Sequence, residues 1–258
     1  MKLTGNTVLI TGGTSGIGLE FAKELLKREN TVIITGRNKT KLDTAKKLLP
    51  KAHVIQNDVG QLKEIQTLFD KVTKEFPDLN IVINNAGIMK GINFHDERTS
   101  LEDLTSEIDI NLKGPIRMTK IFLPHLKKKT NAAIVNVSSG LAFVPLPISP
   151  VYCSTKAALH SFTLSMRAQL KNTNIKVFEV APPATKTDLM GNFNSDHLKG
   201  VPIMSVEDMV RISLNGMQND KYEIRPGQSN QLNFMNRIAP NFILKQLSKS
   251  VDLMLEEI

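Results

Sequence analysis

Short apolar runs alternate along the chain with longer stretches of helical spacing. Val8-Leu9-Ile10-Thr11 is followed by a glycine-rich turn, and then Leu19, Phe21, Ala22, Leu25 and Leu26 recur at helical spacing. Val32-Ile33-Ile34, a helical stretch over Leu42–Leu49, and His53-Val54-Ile55 repeat the alternation. A helix over roughly Leu62 to Phe76 and a run at Ile81-Val82-Ile83 come next, and further runs stand at Ala133–Val137 and Lys176–Val180. These runs are continuously apolar rather than alternating. That pattern predicts strands buried on both faces, hence an α/β fold with a mostly parallel, doubly wound sheet and helices on both sides. Residues 181–206 carry Pro, Gly, Asn and Asp with weak periodicity and are expected to form a loop or lid. Residues 232–258 read as an amphipathic helical tail on a single domain spanning 1–258.

Composition narrows the possibilities. The 258 residues are 41% apolar and 22% charged, as in an ordinary globular protein. No apolar run approaches the ~20 residues of a membrane helix. The N-terminus lacks the apolar core of a signal peptide, and one cysteine, Cys153, cannot form an internal disulfide, so a cytoplasmic location is expected. The net charge is +8, but apart from Lys127-Lys128-Lys129 the basic residues are scattered. With no Trp and two Tyr there are few stacking platforms for bases, so the surplus reads as solvated surface plus a phosphate site rather than a nucleic-acid face. The five histidines show no metal-ligand spacing, and no metal is expected. His160, four residues after Lys156, reads as a packing or surface residue.

Candidate chemistry begins at Thr11-Gly12-Gly13-Thr14-Ser15-Gly16-Ile17-Gly18, between the first strand and first helix. Glycines let a backbone approach a ligand closely, and a helix N-terminus offers free N–H groups to a pyrophosphate. Counting 20 positions beyond Gly16 reaches Gly36, where a carboxylate would mark NAD by binding the ribose 2′-hydroxyl. No acid stands there. Arg37 follows, with Asn38, Lys39 and Lys41, a set suited to a 2′-phosphate and hence to NADP(H).

Tyr152-Cys153-Ser154-Thr155-Lys156 opens another helical run, so the phenol and ammonium share a helical face. A nearby cation favours phenolate and is expected to lower the tyrosine pKa, which suits general acid/base work on a carbonyl. Ser139 ends a strand thirteen positions earlier, Asn84-Asn85-Ala86-Gly87 ends another, and Asn111 lies in a helical run.

With Asp58-Val59, these features occur in the order and spacing of the short-chain dehydrogenase/reductase family, which the chain resembles over about Lys2 to Thr187. Its details are also similar to a bacterial DltE-like subfamily. The resemblance implies a seven-stranded, mostly parallel Rossmann sheet and an oxidoreductase that interconverts a carbonyl and an alcohol. It implies Tyr152 as general acid/base, Lys156 as its partner and a nicotinamide-ribose contact, Ser139 as the group orienting the carbonyl, and Asn111 as support for a proton relay. The implied cofactor contacts are Gly12, Thr14, Ser15, Gly16, Ile17 and Gly18 at the phosphates, and Arg37, Asn38 and Lys41 at the 2′-phosphate. Asp58 and Val59 are implied at the adenine, Asn85, Ala86 and Gly87 beside the adenosine ribose, and Pro182, Thr185 and Thr187 at the nicotinamide. Pro183 departs from the family, which usually has Gly there, and Ser15 stands where many NADP enzymes carry a basic residue.

The substrate is expected to be a small, apolar aldehyde or ketone, facing Leu141, Phe143, Val144, Pro145 and Leu146 and then Leu189, Met190 and Phe193. A homodimer or homotetramer is expected. A non-catalytic NADP-binding sensor or scaffold, and an epimerase or dehydratase sharing the Tyr-Lys pair, remain alternatives at this point.

Overall fold

A computed structural model describes residues 1–192 and 201–255. Seven strands form one sheet, β1 (Thr7–Ile10), β2 (Thr31–Gly36), β3 (His53–Gln56), β4 (Leu79–Asn84), β5 (Ala132–Val137), β6 (Ile175–Val180) and β7 (Glu223–Ile224). Their order is β3-β2-β1-β4-β5-β6-β7, and every neighbouring pair is parallel. The short β7 was not legible in the sequence, since two residues carry no periodicity. The order reverses between β1 and β4. In such sheets the crevice outside the strand carboxyl ends at that point receives ligands.

Helices cover both faces. One layer joins α1 (Gly16–Lys27) and α7 (Val206–Gln218) to the sheet through Phe21, Leu25, Phe178, Met209 and Leu214. The other joins α3 (Leu62–Glu75), α5 (Gly114–Leu126) and α6 (Pro150–Gln169) through Ile65, Leu68, Val72, Met118 and Phe122, with Met166 packed alongside. Removing such side chains from water is the main favourable term in this folding. The helix α2 (Lys39–Leu48) begins at Asn38, whose side chain caps it by accepting the Lys41 N–H at 2.9 Å.

Two features aim the site. Residues Asp109–Lys113 form a π-helical turn between α4 (Leu101–Ile108) and α5, where the sequence suggested an ordinary helix. Beneath α6, Asn84 donates to Asn136 at 2.8 Å, and Asn136 donates to Thr163 at 2.9 Å. This buried polar ladder fixes α6 over β4 and β5.

The expected tail resolves into α8 (Gln228–Ile238) and α9 (Pro240–Leu255), of which Phe234, Ile238, Phe242 and Leu244 are exposed. Ile258 and Phe193 lie outside the described residues, as do the side chains of Met190 and Leu253.

Candidate active site

Every residue singled out for chemistry follows the carboxyl end of a strand or sits on a helix facing that end. The first glycine turn is packed against the turn after β4. The Thr11 hydroxyl accepts the amide N–H of Asn85 at 3.0 Å and of Ala86 at 3.1 Å, while the Asn85 side chain donates to the carbonyls of Thr11 and Gly12 at 3.0 Å. Space there is closed to any larger residue. A Cβ on Gly12, where φ is +65°, would stand 2.7 Å from the Ala86 Cα, and one on Gly18 would stand 2.3 Å from the Gly12 carbonyl oxygen. The N-cap of α1, Ser15, makes no side-chain capping bond, and its first turn has no acid. The helix end is therefore open to an anion. Thr187 closes the cradle from across the cleft, its Cγ2 3.1 Å from the position of a Gly16 Cβ.

The turn after β2 carries Arg37, exposed, with its guanidinium 3.9 Å from the Asp58 carboxylate. The other Asp58 oxygen accepts the Gly60 N–H at 2.9 Å, which fixes that turn. Val59 is buried against Gly114 in the core. Lys41 reaches across to Asp188 at 3.3 Å, joining α2 to the 3-10 turn Asp188–Asn192.

At the centre, Ser139, Tyr152, Lys156 and Asn111 are all buried. Ser139 follows β5; its hydroxyl accepts the Leu141 N–H at 3.1 Å and neighbours the Tyr152 phenol. Lys156 lies over the Tyr152 ring at 5.5 Å from its centroid and donates to the Val137 carbonyl at 2.9 Å. Gly87 leaves a gap beside them: a Cβ there would be 3.3 Å from Asn111 Oδ1 and 3.6 Å from Lys156 Nζ. Asn111 occupies the π-helical turn, and its amide donates to Thr155 as well as to Ile88. Pro182 accepts the Gly140 N–H at 2.7 Å, and Thr185 donates to Pro183 at 2.8 Å, so both prolines brace the turn after β6.

The electrostatics correct one expectation. Burial raises the Tyr152 pKa, outweighing the neighbouring Ser139 hydroxyl, which lowers it. Burial also brings Lys156 down to about 8, against the opposing charges of Glu179 and Glu107. The two groups share one desolvated pocket, and desolvation disfavours the charged form of each. As it stands, Tyr152 is a phenol that keeps its proton.

The apolar segment after Ser139 is mixed in exposure. Val144 is buried, Leu141, Phe143 and Leu146 are partly buried, and Pro145 is exposed. Glu107 and Glu179 were missed by the sequence reading. The available signal was an acid inside an apolar run, Phe178-Glu179-Val180, because a buried carboxylate requires partners. Among the described residues no cluster of His, Cys, Asp or Glu is able to hold a metal, and no helix is long and apolar enough to cross a membrane.

Comparison with known proteins extends the picture. A family model for short chain dehydrogenase matches residues 6–198. A Bacillus subtilis (strain 168) protein named uncharacterized oxidoreductase DltE is 47% identical over 226 residues, 87% of this chain and 89% of the relative. An NADP-dependent 3-hydroxy acid dehydrogenase of Schizosaccharomyces pombe is 34% identical over 205 residues, covering 77% and 79% of the two chains. The crystal structure of a Burkholderia cenocepacia J2315 short chain dehydrogenase in complex with NADP superposes with a TM-score of 0.82 at 24% identity, covering 96% of this chain and 99% of that one.

Proposed function

The chain belongs to the short chain dehydrogenase family, and from that premise we propose that it is an NADP(H)-dependent oxidoreductase that reduces an apolar aldehyde or ketone to an alcohol. The observation that carries this reading is the clustering of buried Tyr152, Ser139 and Lys156, with Lys156 over the Tyr152 ring, at the strand ends and next to the glycine cradle.

The cradle suits a dinucleotide. Gly12, Gly16 and Gly18 bring no Cβ to the turn, and with Thr14, Ser15 and Ile17 they lead into an uncapped helix end. Arg37 and Lys41 form the basic edge for a 2′-phosphate, with Asn38 between them capping α2, and the 34% identical relative is itself NADP-dependent. When bound, NADPH supplies the hydride. The protein's part is positional and protic. Ser139 and Tyr152 hold the substrate oxygen between two hydroxyls. The Tyr152 O–H bond breaks as its proton passes to that oxygen, and the Lys156 ammonium offsets the charge left on the phenol.

The same reading includes a cytoplasmic homo-oligomer. The single cysteine is a buried free thiol, which suits a reducing compartment, and Phe234, Ile238 and Phe242 leave an apolar tail surface that a second copy would cover. Loss of NADPH absorbance over a panel of aldehydes and ketones tests the function. No turnover anywhere on a broad panel, or better kcat/KM for sugars than for apolar carbonyls, would overturn it.

A further inference from the structure

Two of the buried acids, Glu107 and Glu179, act on Lys156 and lie outside the roles above. Glu107, at the end of α4, accepts the Lys90 N–H at 2.9 Å. Glu179, 1% exposed, stands in β6 between Phe178 and Val180. A carboxylate taken from water to such a place is costly unless it is bonded. Glu179 is bonded to two different elements. One oxygen accepts the Ser138 hydroxyl, and the other accepts the Nδ1–H of His160 at 2.7 Å. Ser138 immediately precedes Ser139, and its N–H donates to the Val180 carbonyl at 2.8 Å. His160 lies one turn beyond Lys156 on α6, with the Phe143 ring edge-on to it at 5.1 Å.

We propose that Glu179 is a positioning residue: its carboxylate ties the strand end carrying Ser139 to the helix carrying Tyr152 and Lys156, and its negative charge acts on Lys156. The inference rests on the reductase reading above. The tie matters because Ser139 and Tyr152 must meet at one substrate oxygen. They come from separate elements, and misplacing a reacting group by about 1 Å costs on the order of 10²-fold in rate. The charge matters because burial drives Lys156 toward its neutral form. Glu179 is the larger of the two charges opposing this, and Glu107 the smaller. The charges acting on Lys156 are thus Glu179 from β6 and Glu107 from α4, with the Tyr152 ring beside it on its own helix. Those facing Glu179 are His160 and Lys156, both from α6.

Glu179→Gln separates charge from shape. The amide still accepts from Ser138, but it carries no charge and cannot accept from His160 while its oxygen is so engaged. Two readouts are needed. NMR of protein carrying 13C-labelled lysine, without substrate or cofactor, follows the titration of Lys156. Steady-state kinetics give kcat and KM separately. In Glu179→Gln, Lys156 is expected to titrate roughly one pH unit lower. The kcat is expected to fall on the order of 10²-fold with NADPH binding little changed.

Ser138→Ala and His160→Phe each cut one tie and leave the charge, so each should lower kcat while the Lys156 titration stays in place. If Glu179→Gln does not fold, these two variants decide the matter. Wild-type kcat in both, or an unmoved Lys156 titration in a folded Glu179→Gln protein, overturns the inference. A wild-type enzyme inactive on every carbonyl would instead overturn the reductase reading, while the titration still reports on Glu179.

Discussion

Asn111 grips both sides of the residue Ile88: its Oδ1 accepts the Ile88 N–H at 2.9 Å, and its Nδ2 donates to the Ile88 carbonyl at 2.8 Å. The side chain copies the pairing of a neighbouring strand and fastens the segment after β4 to the π-helical turn. That segment includes Gly87, which borders Lys156. Asn111→Leu keeps the branched shape and removes both bonds, leaving the part-buried N–H and C=O of Ile88 unsatisfied. Each such group costs about 1–3 kcal/mol, so a loss of roughly 2–4 kcal/mol is expected in urea unfolding. Unchanged stability would show that the Ile88 peptide finds other partners.

Tyr152→Phe removes one oxygen from a buried ring and leaves the packing intact. The Ser139 hydroxyl keeps the Leu141 N–H, and the substrate oxygen loses its proton source. Turnover is expected to fall by about 10²–10⁴-fold while NADPH binding, followed by fluorescence, is retained. A variant with near-parental kcat would rule out Tyr152 as the acid.

The pH profile of reduction follows from the buried pair. Lys156 is lowered to about 8, so its ammonium is present below that pH and is lost above it. Tyr152, raised by burial, keeps its proton across the same range. Reductive kcat/KM is therefore expected to be level below about pH 8 and to fall on the alkaline side. A profile still level at pH 9.5 would mean that the Lys156 charge is not required.

Much of this was legible in the sequence for identifiable reasons. Continuous apolar runs such as Val8-Leu9-Ile10 announce strands buried on both faces, and the parallel sheet follows. The spacing of Tyr152 and Lys156 places them on one helical face, as found. What escaped depends on contacts between distant segments. The direction of the Tyr152 shift is set by how much water the assembled fold removes, and a four-residue spacing contains nothing about that. Glu179 looked like one polar residue in a strand, because its partners Ser138 and His160 lie 41 and 19 positions away. The π-helical turn at Asn111 has no periodicity of its own, being a single local insertion into an otherwise helical run.

The tail supplies a prediction about assembly. Phe234, Ile238 and Phe242 are 60%, 62% and 55% exposed, an unusual amount of apolar area for a free surface. Light scattering at micromolar concentration is expected to give a dimeric or tetrameric mass. Phe234→Ser combined with Phe242→Ser should reduce it if the tail is the contact. A monomeric wild-type mass would refute the assembly.

Cofactor choice is expected to turn on the edge formed by Arg37 and Lys41. Gly36 ends β2 where a carboxylate would otherwise repel a 2′-phosphate, and the side chain of Thr14 leaves no room for one, standing 2.7 Å from the position of a Gly36 Cβ. Arg37 follows with an exposed guanidinium. Its only recorded ionic neighbour among the described residues, Asp58, is 3.9 Å away, a loose surface pair worth little. Arg37 can therefore leave Asp58 for a phosphate at small cost. Lys41 is similarly held, at 3.3 Å from Asp188, with both groups exposed. A hydrogen bond to a charged group is worth about 1.5–3 kcal/mol, so Arg37→Ala should weaken NADPH binding roughly 10- to 100-fold and leave NADH nearly unaffected. Lys41→Ala should do the same to a smaller degree, because an ammonium meets phosphate as a point charge without the paired geometry of a guanidinium. Ser15 adds no basic group from the glycine turn, so the preference rests chiefly on Arg37. Measuring kcat/KM for both cofactors with one substrate checks the whole argument. Equal efficiencies in the wild type, or undiminished NADPH affinity in Arg37→Ala, would place the 2′-phosphate elsewhere.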